Sequence, residues 1–376
     1  MSKVEWKRLG DCMKVLRGCR LTKSQLSENE LYPVYHGGIQ PIGYYTQSNR
    51  QANTTMIINV GASAGTVGFC DTLFWSSDGC FCLSQNSMYN QKFLFHYLKY
   101  KEIQIIQKVR KAGIPTLDSQ VIENIELPIV NFNVQRQIVS QLDIFTTLIA
   151  KLESELTLRL KQYEFYREKL LNFDGDEEVE WKALGSIAHV ERGNGVQKSD
   201  FVEANDNSKD IVGCIHYGQI YQHYTLFAHM ANRFVSKSVA EKAKIAHTND
   251  IIMTSTSENV EDICKCVVWL GKEDIAVSSH AVIITTSINP KYFAYYTLTY
   301  SFFNEKKKYA RGAKVVEIKK EQIESILIPV PKDPNRQQQI VSQLDTFEQL
   351  IAALKREIAL RRKQYDYYRE KLLTFE

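Results

Sequence analysis

The chain has 376 residues, 44% of them hydrophobic and 11% aromatic, and a formal net charge of +4. That length accommodates two or three domains with cores of their own, and the apolar content excludes a disordered polymer. No apolar run reaches the roughly 18 residues a membrane span needs. The first residues, MSKVEWKRLGDCMK, carry no signal-peptide core. The small basic excess favours a polyanionic partner without establishing one.

In chain order, a first variable domain is expected over residues 1–134. It opens with Val4-Glu5-Trp6-Lys7, turns at His36-Gly37-Gly38 and at the glycine-rich stretch 61–65, and shows β-like runs at 55–60 and 67–70. Asn90-Gln91-Lys92-Phe93 reads as a helix entrance with Asn90 as the cap. A basic run, Lys108, Arg110 and Lys111, precedes Gly113, and Ile125 and Pro128 close the domain.

Residues 135–173 are expected to form one long helix. Ile138, Leu142, Phe145, Ile149, Leu152, Leu156, Tyr163, Tyr166, Leu170 and Phe173 recur in alternating steps of four and three, interrupted once by Arg159. That is the seam of a coiled coil, and the stretch contains no Pro or Gly to break it. At ~1.5 Å per residue the helix runs on the order of 55 Å. A linker at 174–178, with Gly175 past the helix end, leads to a second variable domain at 179–336. Its β-like runs are at 251–255, 267–270 and 281–286, and its helix entrance is Asn289-Pro290-Lys291-Tyr292. A second basic run, Lys306, Lys307, Lys308 and Arg311, precedes Gly312, which stands opposite Gly113, and Lys314 follows. Residues 337–376 form a second long helix.

The two helices are one segment written twice: residues 137–173 and 339–375 share 25 of 37 positions without a gap. The second seam runs through Leu344, Phe347, Ile351, Leu354 and Ile358, with Arg361 at the interruption. The repeat fixes the architecture: two near-identical helices carry two unlike domains. Their seams need partners, and packing on each other as an antiparallel coiled coil with pseudo-two-fold symmetry is the economical solution. The fold class expected is α/β (α+β), with a mixed sheet in each domain.

Catalytic chemistry finds little support. Asn289-Pro290-Lys291-Tyr292 departs from the Asn-Pro-Pro-Tyr element of amino-group methyltransferases, and its counterpart at Asn90 lacks proline altogether. No phosphate-binding P-loop and no nuclease arrangement of acids and lysine occurs. His216, His223, His229 and His280 form no metal-ligand spacing. Cys80/Cys82 and Cys264/Cys266 read as strand-face cysteines, since alternate residues share a face. The eight cysteines point to a reducing, cytoplasmic setting. No catalytic and no metal-binding residue is assigned.

Matched basic runs in two divergent domains suit DNA phosphates: Lys108, Arg110, Lys111, Lys306, Lys307, Lys308, Arg311 and Lys314. Bases are read by polar side chains on loops. Candidates are Gln40, Gln47, Asn49, Arg50 and Ser63 in the first domain, and Arg192, Asn194, Gln197, Lys198, Ser255, Ser257 and Asn259 in the second.

The order of these parts resembles the specificity subunit of type I restriction–modification systems over the whole chain. The phrases that carry the resemblance are Glu5-Trp6-Lys7-x-Leu-Gly10 and Glu180-Trp181-Lys182-x-Leu-Gly185, Tyr35-His36-Gly37-Gly38-Ile39, the Ile-Pro endings at Pro128 and Pro329, Gln137-Ile138-Val139 and Gln339-Ile340-Val341. The closing runs from Tyr166 to Leu171 and from Tyr368 to Leu373 complete the set. The resemblance implies two target recognition domains, each reading half of a split double-stranded DNA target, and a coiled coil that sets the gap. It further implies docking of two modification (methyltransferase) subunits and of restriction (motor and nuclease) subunits. This chain would be non-catalytic and bind no cofactor, S-adenosylmethionine, ATP and Mg being used by the partners. Two other readings fit less well: a coiled-coil scaffold without DNA binding, which leaves the matched basic runs unexplained, and a self-contained methyltransferase or restriction enzyme, which lacks its motifs. A split-target reader in a methylation-only system shares all of the residue assignments.

Overall fold

The computed structural model describes residues 4–204, 210–312 and 314–375; the expected domain ends at 1 and 376 lie outside these. The chain divides into two compact units, one of Met1–Glu155 with Leu354–Glu376 and one of Leu156–Ala353. Each unit therefore holds one variable domain together with parts of both long helices. The helices span Phe132–Leu170 and Pro334–Leu373. Both begin slightly ahead of the expected 135 and 337.

In the first unit an antiparallel sheet runs in the order Val15–Arg17, Cys80–Leu83, Thr54–Ile58, Val67–Cys70. In the second unit the same order recurs as Ala188–Arg192, Ala281–Thr286, Ile251–Thr254, Cys266–Trp269, with Phe227–Ala228 added at the edge. The inner strands are rich in Val, Ile, Cys and Met and largely buried, as expected where helices cover one face and a further sheet the other. The edge strands Val15–Arg17 and Ala188–Arg192 are mostly half-buried or exposed. Each unit has a further sheet that the sequence pattern did not reveal: three short strands in the first, five in the second. The opening strands close each domain as expected from their shared phrases: Glu5–Arg8 pairs with Glu126–Ile129, and Val179–Ala183 with Leu327–Pro331.

Asn90 and Asn289 cap their helices as the sequence predicts. Asn90 Oδ1 accepts from the amides of Lys92 and Phe93 at 2.8 and 3.2 Å, and Asn289 Oδ1 from Lys291 and Tyr292 at 2.9 and 3.2 Å. Cys80, Cys82 and Cys266 sit buried on strands, whereas Cys264 lies in the preceding loop with φ +62°. Among the described residues no group of His, Cys, Asp and Glu has the geometry to hold a metal. No described helix is long and apolar enough to cross a membrane.

The seam residues face the partner helix inside each unit. In the first unit Leu142 is fully buried, and Phe145 stacks on Tyr368 with ring centroids 5.3 Å apart. Further along, Glu153 accepts from Arg362 at 2.5 Å, so the two segments run antiparallel. Ile149, Leu152 and Leu354 are half-buried and Ile358 is buried. In the second unit Tyr166 stacks on Phe347 at 5.5 Å, and Leu156 packs in the cluster that holds Leu344 and Ile351. The interruption is answered the same way in both copies: Arg159 donates to Gln162 and Arg361 to Gln364, each at 2.9 Å. A guanidinium laid along the helix keeps its charge solvated while its stem covers the seam.

Each domain is joined to a long helix by the same device. In the first unit Asp143 receives Lys92 Nζ at 2.8 Å and lies 2.9 Å from His96 Nε2. In the second Asp345 receives Lys291 Nζ and Tyr295 Oη, both at 2.7 Å. Eight residues before these acids, about two helical turns, Gln135 and Gln337 accept the backbone amides of Asn90 and Asn289 at 2.8 and 2.9 Å. Asp345→Ala should remove two charge-assisted bonds and leave Lys291 half-buried without its partner. The expected loss is about 2–3 kcal/mol of second-unit stability. Chemical denaturation of wild type and variant measures it, and a loss below about 0.5 kcal/mol, the level of a neutral surface change, would show that the joint carries no load.

Candidate nucleic-acid interface

The first unit brings four cations, Arg17, Arg20, Lys108 and Arg110, to one cleft of about 720 Å³, which His36 also lines. Lys108 and Arg110 were expected on sequence grounds; Arg17, Arg20 and His36 were not. Among the described residues the acids in the lining are Asp78 and Asp118, and Asp78 is engaged with His36 Nδ1 at 3.2 Å. The loop bearing the basic residues is tied back on itself: Arg110 donates to Thr116 O at 2.9 Å and Thr116 to Arg110 O at 3.1 Å. Thr116 also bridges to Val60, and Gly61 donates to Pro115 O at 2.9 Å. This holds the exposed Lys108, Arg110 and Lys111 beside the glycine-rich turn that carries Ser63. Gly65 in that turn has φ +90°, and a Cβ on it would lie 2.9 Å from Ile106 Cγ1, so glycine is required there.

The second unit repeats the tie. Arg311 donates to Glu317 O at 3.2 Å and Glu317 to Arg311 O at 2.8 Å, while Val316–Glu317 pair with Thr256–Ser257. The spacing 110 to 116 matches 311 to 317, so Arg110 is equivalent to Arg311. Gly113 is accordingly equivalent to Lys314, not to Gly312 as the sequence had indicated. Lys307, Lys308, Arg311 and Lys314 are exposed, with Lys308 paired to Glu305. Ser255 accepts from Ile318 and donates its amide to His280 O, both at 3.0 Å, and His280 packs edge-on to Tyr217 at 5.0 Å. Arg192 Nε donates to Ser279 O at 3.1 Å, and Asn194 to Val277 O at 3.2 Å. Arg192, Asn194 and Ser255 are thus tied to the segment 277–280, whose His280 meets Tyr217. Neither His280 nor Tyr217 was assigned from the sequence, and Ser255 itself is buried while Arg192, Asn194 and Lys198 are exposed. His216 beneath them is buried and caps a short helix through Nδ1; burial, with Lys198 and His280 nearby, lowers its pKa to about 4, so it is neutral at pH 7.

Several candidates serve the fold instead. Asn49 clamps Ser76 with both side-chain atoms, Nδ2 to its carbonyl at 3.0 Å and Oδ1 from its amide at 2.7 Å. Arg50 donates to the carbonyls of Asn49 and Arg17 at 2.8 and 2.7 Å. Asn259 closes a turn on Asp262. Gln197 N donates to Asp200 in a short helical turn. Lys306 is 5% exposed with its ammonium on two backbone carbonyls, so it leaves the phosphate-binding set. Gln40 and Gln47 stay exposed and free to meet a ligand. Spacing alone does not distinguish these fates, because an amide serves a turn as well as it serves a base edge.

A model of the type I restriction modification DNA specificity domain matches residues 1–162 and again 176–360, each match covering a variable domain and most of the long helix after it. The chain belongs to this family. As a specificity-domain protein it is a recognition component of a restriction–modification system and not its catalytic one. A type I restriction enzyme specificity subunit of Escherichia coli is 32% identical over 249 residues, 64% of this chain and 59% of that protein. A protein of Haemophilus influenzae named as such a subunit is 26% identical over 399 residues, 100% of this chain and 96% of its own length. The crystal structure of a Mycoplasma genitalium type I S subunit covers 100% of this chain and 98% of its own, at 16% identity and a TM-score of 0.66. A second structure, from work on assembly and conformational transition of the type I system, covers 99% and 97% with a TM-score of 0.57 at 15% identity. These two share the fold: mixed domains and long helices.

Cations concentrated in one cleft make a direct prediction. Replacing Lys108 and Arg110 together by Ala should weaken binding to every DNA sequence alike and reduce the log–log salt slope by about 1–2. Affinity titrations at several salt concentrations read both quantities; an unchanged slope would take these residues out of the phosphate contacts.

Proposed function

We propose that the chain is the sequence reader of a type I restriction–modification complex. Each recognition domain binds one half of a split double-stranded DNA target, and the paired long helices set the gap between the halves. The observation that carries this reading is the joint made twice from Asp143 and Asp345, which fastens two different reading surfaces to two copies of one helix. Duplicated attachment with divergent loops is what a two-part target requires. Two half-sites about one DNA turn apart, roughly 34 Å, suit domains held on a stiff strut. Joining two modest binders in one chain raises the effective concentration of the second, so two moderate affinities yield a specific whole.

In this reading the repeated helices and neighbouring domain surface also hold two modification subunits, which methylate adenine with S-adenosylmethionine. Restriction subunits add ATP- and Mg-dependent translocation and cleavage, or are missing in a methylation-only system. The chain itself contributes recognition, binds none of these cofactors and works in the cytoplasm. Matched basic loops position the duplex through phosphates, and the loops around Ser63 in the first domain and Ser255 in the second read base edges.

Co-expression with a cognate modification subunit in a methylation-free host, followed by mapping of methylated adenines, tests the reading. A split motif with a fixed gap should appear, and it should vanish when this chain is omitted. Methylation that is indifferent to the chain would reject it. Insertion of one heptad into the first long helix should change the gap or abolish methylation, since the helices act as the ruler; the same motif with the same gap would dismiss that role.

A further inference from the structure

Lys306 was expected on DNA and is instead inside the protein. It closes the helix Tyr300–Lys307, and its Nζ donates to Glu261 O at 2.9 Å and Ile263 O at 2.6 Å. The stem lies by Phe303, with Nζ 5.6 Å from the ring centroid. Burial pulls its pKa down from the ordinary lysine value, while Cys264 and Asp262 nearby work against that fall. Both carbonyls belong to the loop between the strands Ile251–Thr254 and Cys266–Trp269, the loop that carries Ser255, Ser257 and Asn259.

The ammonium meets the inner end of that loop, and contacts within the loop hold the rest. Cys264 takes φ +62°, a left-handed conformation that costs a non-glycine residue about 1 kcal/mol or more. Asn259 Oδ1 accepts from Asp262 N at 2.7 Å, and its Nδ2 donates to the Asp262 carboxylate at 2.8 Å. Lys265 meets the same carboxylate at 2.5 Å. The inner end of the loop is therefore pinned by Lys306, and its outer end by the pairing of Thr256–Ser257 with the basic loop. The first unit solves the same problem without a charge. Its loop between Thr54–Ile58 and Val67–Cys70 is a compact glycine turn whose Gly65 backs directly onto Ile106, in the corresponding helix. A longer loop turns carbonyls inward that a glycine turn does not, and a lysine answers them.

We propose that Lys306 is the positioning residue of the second reading loop, fixing residues 255–265 in the shape that discriminates the second half-site. This rests on the reading of the two domains as DNA half-site readers. Without the ammonium, two inward carbonyls lose their donor, and each unsatisfied buried acceptor costs about 1–3 kcal/mol. The loop has exposed residues along its outer side, so it relieves that cost by turning its backbone towards water, not by opening the core strands.

The test uses the complex with its modification subunit and compares wild type, Lys306→Met and Lys306→Arg. Methylation rates are measured on duplexes that carry single mismatches in either half-site, together with the salt slope of binding. The expected result for Lys306→Met is a roughly tenfold loss of discrimination at second-half positions, about the weight of one mismatch. First-half discrimination and the salt slope stay as in wild type. Should Lys306→Met not fold, Lys306→Arg decides: it keeps the charge, but its wider planar head must displace the two carbonyls from their present places, and it should relax the second half-site likewise. Lower rates with both half-sites still discriminated would reduce Lys306 to a structural residue and overturn the proposal. So would a salt slope reduced by about one, the mark of a lost phosphate contact. A wild-type complex that methylates no split motif would instead reject the half-site reading itself, so the two failures are told apart.

Discussion

The rest of the structure depends on one aspartate in each long helix. Asp143 and Asp345 stand at equivalent places in the repeat, and each collects two groups from a domain helix: Lys92 with His96, and Lys291 with Tyr295. Residues four apart share a helix face, so a lysine followed four positions later by any polar ring presents the pair of groups the acid needs. An acid that is mostly covered must have such partners, or the cost of removing it from water is not recovered. The joint therefore specifies how a domain helix lies on the strut while demanding little of the domain beyond it. His96 and Tyr295 differ in size and ring chemistry, yet both fill the second position. That tolerance lets unlike domains be mounted on like helices.

The ends of the helices reinforce the joint from another side. Leu373 is buried in the first unit's core, where Phe375 meets Phe93 and Trp6 at 6.4 Å each. In the second unit Leu171 is buried and Phe173 meets Tyr292 at the same distance. A domain gripped by the start of one helix and the end of the other has two attachment points instead of one, which suppresses rocking about either. Burying a leucine or phenylalanine side chain contributes about 1.5–3 kcal/mol, comparable to the aspartate joint itself. The closing run of each repeat is thus as constrained as the seam, and this accounts for helices that stay alike while the loops diverge.

How much of this could be read in advance follows from the range of each interaction. The helices, the Asn90 and Asn289 caps and the central strands were legible because periodicity and capping are local in sequence. The second sheets were not, since two-residue strands such as Tyr44–Tyr45 and Phe201–Val202 carry no period. In the interface, Lys108 and Arg110 were found as a run, but Arg17, Arg20 and His36 reach the same cleft from distant segments that nothing in their spacing connects. Polar candidates were the least secure. Asn49, Arg50, Asn259 and Lys306 have the chemistry to meet DNA and spend it on backbone groups of their own domain. No local pattern records which of the two a side chain will do; that is decided by the carbonyls and amides the tertiary fold leaves unpaired.

A reading loop must differ from one protein to the next and still be stiff enough to reject a wrong base. Those demands conflict, because a loop without regular structure leaves backbone groups to be satisfied one by one. The two units resolve the conflict differently. The first keeps its loop short, with glycines at the positive φ angles and an isoleucine beneath. The second lengthens the loop, accepts a left-handed cysteine, and pins the inward carbonyls with a buried lysine. In both, a basic loop paired back on itself holds the outer edge, so the basic residues and the neighbouring loop are fastened to each other. In the proposed reading, contacts that are blind to sequence then fix where the sequence-reading side chains lie, and a change of loop alters what is read without disturbing how the duplex is held.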